Sequence, residues 1–476
     1  MKKMLGRMCG WLAVAGLVAA WAGGGRAEAG TIGGLTPPKW QSVGQNFVPG
    51  FTNAIGANNT IYGLAMSTNR ILYACGAFTN IGRSNCYRIA RYNGTNWSDM
   101  AGGVVKAANV NCVAASSNGI VYAGGYFTNI GGVYTSEGKL SGDGGTNTRA
   151  VAKWTGTRWE PMGDGTPGEN GLFFSKNVNG YVNTIVAATN GKVYAGGYFT
   201  NSNYRYRMPY IAQYDGTAWT AMSSFSNVVM SSAEGRDGTI YVAGTFTNGN
   251  AGGYLTYVVK WNGSAWVSLG QGLGQRATCL LAARDGTLYA GGWFTNAASV
   301  ASGVISPARY VAKWNGTVWT NVGSGFNNWV YALAEGPDGT IYAGGSFTNT
   351  YDSDGVDTNA PKVSVNRIAR WDAAAQRWQS MGKGVSDSVL ALTTDPVDGA
   401  LYAGGFFRVA TQADGTGTNS WYIAKWAPGT GGSGVEPSTG SAAGGFPVTI
   451  SGTNLCNGTI GDVASVTVCG ATATVT

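Results

Sequence analysis

Histidine is absent from all 476 residues, and charged residues make up only 11%. The first absence removes Ser-His-Asp and Cys-His machinery and most zinc sites. The second leaves few carboxylates for acid–base work. Most aspartates stand in Asp-Gly hairpin signals, where backbone geometry accounts for them. No phosphate-binding or dinucleotide loop occurs, because the Gly-Gly pairs lie in strands rather than opening helices. No apolar run of membrane-spanning length follows residue 22. What the chain has instead is 77 glycines and 12% aromatics. That is a turn-rich, all-β composition, too aromatic for disorder.

The N-terminus reads as an export signal. Lys2, Lys3 and Arg7 precede an apolar run from Trp11 to Ala22, and Ala27-Glu28-Ala29 offers a cleavage site before Gly30. Removing residues 1–29 takes away four cations and Glu28, lowering the formal charge from +8 to +5. The remaining cations include Arg91, Lys153, Lys260, Lys313, Arg370 and Lys425, one repeat position each, which reads as a solvated face and not a nucleic-acid stripe. The mature chain is therefore expected to be secreted or held at the cell surface, without a transmembrane segment. In that setting Cys75–Cys86 and Cys456–Cys469 are expected disulfides. Cys112 and Cys279 fall at one repeat position of two non-adjacent units and are expected to be buried thiols.

The repeat is the strongest signal. YAGGYFTN (122–129 and 194–201), YAGGWFTN (289–296) and YAGGSFTN (342–349) have weaker copies at 73–80, 241–248 and 402–409. The anchoring phenylalanines, Phe78 to Phe407, are 47 to 72 residues apart. A period near fifty with short strands predicts a β-propeller. Each unit predicts four strands, a to d. Asn-Gly or Asp-Gly turns join a to b, and turns such as Asn93-Gly94, Asp215-Gly216 and Asn315-Gly316 join c to d. Asn93, Asn262 and Asn315 also begin glycosylation sequons, but the turn accounts for them. Both tight turns lie on one face, so the variable b–c and d–a segments gather on the other, where ligand contact is expected. Paired aromatics such as Trp314/Trp319 are expected to fill the space between sheets. The seventh unit lacks a strand d, while Lys39-Trp40-Gln41-Ser42 is an orphan copy of one. The expected fold is all-β: a seven-bladed propeller of four-stranded blades over 30–428, closed by that N-terminal strand.

The Gly-Gly, Tyr/Trp and Trp pattern resembles the kelch repeat. GGSFTN…NRIARWD (344–349, 366–372) equally resembles the bacterial delta-60 repeat of secreted propellers. These families mostly bind proteins or glycans. Galactose oxidase, a kelch-like copper enzyme, ligates its metal with histidine, so its activity does not carry over. After a Gly/Ser-rich linker at 429–434, the phrase from Pro437 through Gly444-Gly445 to Leu455 resembles an IPT/TIG immunoglobulin-like domain. Residues 435–476 are about half of such a sandwich, which implies a partial domain and a longer surface protein.

Three places are candidate sites. Asp352, Asp354 and Asp357 have spacing that suits calcium, although an acidic solvated loop is favoured and no cofactor is expected otherwise. Tyr204, Arg205, Tyr206 and Arg207 interleave aromatics with cations that could stack on a sugar or grip a partner. Tyr181, Arg276 and Trp329 share the position opening strand a, and with Phe173 and Phe174 could form a cup at the channel mouth. Loop packing and core capping are the structural accounts of both. The expected function is a non-enzymatic binding or adhesion scaffold, a monomeric propeller recognising an extracellular glycan or protein. The alternatives are an extracellular lyase or hydrolase using channel-mouth Tyr and carboxylates, and a purely structural envelope repeat.

Overall fold

The computed structural model describes residues 37–44, 56–104, 108–134, 140–141, 146–163, 170–173, 180–202, 206–207, 209–222, 225–247, 257–298, 305–350, 363–428, 434–436, 449–451, 466–468 and 471–473. Strands and turns account for all regular structure there, and no helix is present among these residues. Two compact units separate: 40–425, and 1–39 together with 426–476.

In the larger unit, seven sheets are four-stranded and antiparallel. The third shows the pattern. Tyr181–Ala187 (a) pairs with Val193–Tyr198 (b), which pairs with Ile211–Tyr214 (c), which pairs with Trp219–Ala221 (d). Gly191 takes φ +80° in the a–b turn, the conformation its Asn-Gly signal demands. The c–d turns are side-chain clasps: Asp215 Oδ1 accepts the N–H groups of Thr217 and Ala218, and Asn93, Asn262 and Asn315 repeat the arrangement.

Strands a lie side by side around the unit. Ile61–Met66 packs against Asn109–Ala115, and the series continues through Tyr181–Ala187, Val229–Glu234, Ala277–Ala282, Val330–Glu335 and Val389–Thr394. The last of these returns to Ile61–Met66. Sheets radiating from a closed ring of inner strands are the architecture of a β-propeller. Lys39–Ser42 supplies the outer strand of the last sheet, beside Ile423–Ala427. Gln412 pins it, accepting from Trp40 N at 2.9 Å and donating to Trp40 O at 2.7 Å.

The strand-d tryptophans do more than fill space. Each indole N–H donates to the carbonyl of a buried apolar residue in the preceding sheet. Trp97 reaches Val43, Trp159 Met100, Trp219 Met162 and Trp266 Met222; Trp319 reaches Leu269, Trp378 Val322 and Trp40 Met381, all at 2.6–3.2 Å. A buried donor is thereby satisfied and adjacent sheets are stitched together. The two glycines of the repeat also have separate duties. A Cβ on Gly345 would sit 2.1 Å from the backbone oxygen of Trp329, whereas one on Gly344 would meet Val389 of the next sheet. The second duty tolerates a small side chain, and Cys75 and Ala243 occupy the first-glycine position in two sheets. The first duty does not, and glycine stands at all seven second positions.

Two repeated features were invisible in the sequence. Every strand a carries a bulge after its first buried residue, at Tyr62, Asn111, Asn183, Met230, Thr278, Tyr331 and Leu390. The bulge re-aims these side chains: Asn111, Asn183 and Thr278 bond to Val182 O, Val229 O and Val330 O of the next sheet. The residue before each strand c is left-handed without being glycine: Arg88, Ala150, Tyr210, Tyr257, Tyr310, Arg367 and Tyr422, at φ 62–76°. In all seven its N–H bonds to the anchoring phenylalanine's carbonyl, as Tyr257 does to Phe246. That bond holds a conformation that otherwise costs about 1–2 kcal/mol.

The expected Cys75–Cys86 disulfide is not formed; both are free buried thiols. Their positions explain why. Cys75 packs with Val110 and Val113 on one side of the first sheet, and Cys86 packs with Ile61, Tyr92 and Trp97 on the other. Burial, then the nearby Asp99 charge, pushes the Cys86 thiol up to about 12. Cys112 and Cys279 are also free thiols, Cys112 being only partly buried.

At the seam between the last and first sheets, Arg70 Nη2 lies 2.7 Å from both Asp395 and Asp398. Burial pushes the Asp395 carboxyl up, but the Val397 N–H and Arg70 outweigh it and hold it below its ordinary value. A carboxylate with a lowered folded pKa stabilises the fold above its unfolded pKa, and that contribution is lost as pH falls through the folded value. We therefore expect the urea midpoint of Asp395→Asn to fall less between pH 6 and pH 3 than that of the wild type. Equal falls would remove this seam from the account of acid stability.

In the smaller unit, Gly434–Glu436 pairs antiparallel with Thr449–Ser451, and Val466–Val468 with Ala471–Ala473. Cys456 and Cys469 lie outside the described residues.

Candidate functional site

In each sheet the start of a, end of b, start of c and end of d share one edge, and the tight turns share the other. On the open edge, nearest the ring axis, two residues per sheet meet: the one opening strand a and the x of the GG-x-F phrase. Around the ring these pairs are Thr60/Ala77, Asn109/Tyr126, Tyr181/Tyr198, Val228/Thr245, Arg276/Trp293, Trp329/Ser346 and Ser388/Phe406. Tyr181/Tyr198 and Asn109/Tyr126 are partners in register, and backbone bonds such as Trp293 N to Arg276 O join the other five pairs. The rim thus follows from the repeat, but its side chains do not repeat.

Two of the sequence candidates come together here. The Arg276 guanidinium carbon lies 3.4 Å from the centre of the Trp293 ring. Trp329, from the next sheet, stacks on Trp293 with centroids 3.7 Å apart and planes within 3°. Tyr331 stands 6.3 Å from Trp329 and tilted to it. All four side chains are half-buried, and the Trp293 indole N–H has no hydrogen-bond partner among the described residues. Cation–π and aromatic stacking contribute about 0.5–2 kcal/mol each and fix flat faces in place. Trp293 was missed because its position in the phrase is the variable one.

Tyr181 is at the equivalent position but in a different group. It stacks on Tyr198 at 5.3 Å, and Tyr198 lies 6.2 Å from Tyr210. Burial, then the neighbouring Tyr198, raises the Tyr181 phenol above its ordinary value, so it is a neutral hydroxyl at physiological pH. Phe173 and Tyr206–Arg207, treated apart in the sequence, join one small sheet. Leu172–Phe173 pairs with Asn201–Ser202, which pairs with Tyr206–Arg207. Tyr204, Arg205, Phe174 and the acidic candidates Asp352, Asp354 and Asp357 lie outside the described residues. Among those described, no group of three Asp, Glu or Cys side chains could hold a metal ion.

Carboxylates are scarce where chemistry would need them. The inner strands carry only Glu234 and Glu335, each at the end remote from the rim. There Glu234 accepts the Thr189 N–H and Glu335 the Arg284 N–H, tying turns of adjacent sheets.

Residues 433–476 match the IPT/TIG domain family. No curated protein sequence matches the chain. Among solved structures, the WD40 β-propeller domain of Doa1 aligns with a TM-score of 0.47 at 9% identity, covering 82% of this chain and 96% of that one.

Proposed function

We propose that the chain is an exported, non-enzymatic binding module, and that its seven four-stranded sheets are the blades of one propeller built from kelch-like or delta-60-like repeats. Its open rim recognises an extracellular glycan, and the IPT/TIG region serves as a spacer. One observation carries this reading. Framework positions are held constant around the ring, whereas the rim pair ranges from Thr60/Ala77 to Arg276/Trp293. Sheets that place Ala77, Thr245 or Ser346 at the x position keep the same strand order and register. The fold does not require Trp293 there, so the Arg276–Trp293–Trp329 stack is free to serve a ligand. Trp293 is covered on both faces by Arg276 and Trp329, so the remaining face of the half-buried Trp329 is the one that suits the apolar face of a sugar ring or an aromatic anchor of a partner.

The enzymatic alternative needs two convergent carboxylates. Among the described residues the channel mouth offers Asp387 alone, which favours binding over hydrolysis. The test is an array of neutral and acidic glycans probed with the full chain and with Trp329→Ala. The rim makes Trp329 replaceable for folding, so the variant is expected to keep its unfolding midpoint within about 1 kcal/mol of stability and to lose binding tenfold or more. Undiminished binding by Trp329→Ala would remove the stack from the site.

A further inference from the structure

The last repeat departs from the other six where the ring closes. Six copies continue Phe-Thr: Thr79, Thr128, Thr200, Thr247, Thr295 and Thr348. The seventh has Arg408. In two of those sheets the threonine side chain belongs to a structural clasp. Asn327 Oδ1 accepts the N–H groups of Thr348 and Asn349, and its amide donates to Thr348 Oγ1; Asn58 does the same with Thr79 and Asn80. In the last sheet Ser386 Oγ accepts the Arg408 and Val409 N–H groups. The backbone clasp is thus kept, while the side chain at 408 is released from it.

The released arginine borders a cavity of about 460 Å³ between the last and first sheets, lined by Asn59, Asp387, Phe406 and Tyr422 among others. That volume is within the ~300–1,000 Å³ of small-ligand pockets. Phe406 is 44% exposed, unlike the fully buried Phe407 beside it. Arg408 Nη2 donates to the Tyr422 hydroxyl at 3.2 Å, and the guanidinium carbon lies 5.4 Å from the Trp421 ring centre. No carboxylate pairs with Arg408 among the described residues. Across the cavity Asp387 replaces the asparagine of three other sheets. Asn59, Asn227 and Asn328 each accept the next residue's N–H, and Asp387 accepts that of Ser388 at 2.6 Å. Its second carboxylate oxygen accepts no hydrogen bond from the described residues, and the Asn59 amide likewise donates none.

We propose that this seam cavity is a subsite for a neutral hexopyranose. The inference rests on the reading of the rim as a glycan-binding face. An exposed aromatic floor meets the apolar C–H face of the sugar. Asp387 accepts from hydroxyls, while Asn59 and Arg408 donate to them. Charges of opposite sign facing one cavity suit a ligand that is itself uncharged but both donates and accepts. A uronate or sialate would set its carboxylate against Asp387, offsetting what it gains from Arg408.

The experiment is saturation-transfer NMR of the full chain with methyl glycosides of neutral hexoses and with the corresponding uronates. It compares the wild type, Phe406→Ala, Arg408→Thr, Asp387→Asn and Trp329→Ala. Arg408→Thr and Asp387→Asn install residues that other sheets already carry, so folding is preserved. The expected result is transfer to at least one neutral hexoside, weakened tenfold or more in the three seam variants. Transfer unchanged in the seam variants overturns the subsite; if Trp329→Ala then abolishes it, the rim reading stands without the seam. Transfer to uronates alone, or to no monosaccharide, also overturns the subsite, and the glycan array then judges the rim separately.

Discussion

Trp40→Ala is expected to destabilise the propeller by about 3–5 kcal/mol, the usual cost of truncating a buried tryptophan. The expectation is unusual for a residue in a four-residue strand near a chain terminus, where truncation is ordinarily tolerated. It follows from the ring. Trp40 is 2% exposed, and its indole donates to Met381 O at 2.9 Å, as Trp319 donates to Leu269 O at 2.8 Å. If the sequence-distant ends form one sheet, Trp40→Ala and Trp319→Ala cost the same within about 1 kcal/mol, given the context dependence of such substitutions. Trp40→Phe separates the two contributions: it keeps most of the burial and leaves the Met381 carbonyl without its donor, at about 1–3 kcal/mol. Urea unfolding of the three variants reads all of this. A Trp40→Ala midpoint at the wild-type value would mean that the ring does not depend on its N-terminal strand.

The second large effect separates the paired glycines. Gly345→Ala places a methyl group 2.1 Å from the carbonyl oxygen of Trp329, inside a strand pairing that cannot open without losing ladder hydrogen bonds. Gly344→Ala places it 2.5 Å from Val389 Cγ1 of the next sheet, where a side chain and a sheet-to-sheet spacing can adjust. The costs expected are about 3 kcal/mol for Gly345 and about 1 kcal/mol for Gly344, the top and bottom of the overpacking range. Because the backbone displaced by Gly345→Ala carries Trp329, that variant is also expected to weaken rim binding, whereas Gly344→Ala leaves it intact. Equal losses of stability would show that the two glycines answer to the same contact.

The comparison of these glycines also shows why some of the fold was legible in the sequence. A feature that the chain states seven times can be read from its own variation. The second glycine never varies because it faces backbone; the first varies to Cys75 and Ala243 because it faces side chains. Trp40 was recognisable for the same reason, as a copy of Trp319 and Trp378 out of place. The bulge escaped because Tyr62, Asn111, Met230 and Leu390 share no residue type, only a position. The left-handed residues escaped because tyrosine and arginine give no sign of positive φ. The expected Cys75–Cys86 bond failed on orientation, since spacing along the chain says nothing about which side of a sheet a thiol faces.

The site was legible only in part. Arg276 and Trp329 were found by aligning the hairpin glycines, which places residues along a strand. Tyr181 stands two sheets from Arg276 and three from Trp329, too far round the ring to join them in one group. Trp293 and Phe406 stand at the x of the repeat, the position whose residue type changes from copy to copy. Variation at a position the framework leaves free is instead the signal. Arg408, breaking six consecutive threonines, carried the same message.

Amide hydrogen exchange of the full chain, with and without the neutral glycan it binds most tightly on an array, tests the central claim most directly. The account predicts slowed exchange in the rim segments around 276–278, 293–295, 329–331 and 386–388, with the hairpin turns at 190–191, 285–286 and 338–339 unchanged. Protection at those turns, with the rim unaffected, would place the ligand on the wrong face and contradict the account.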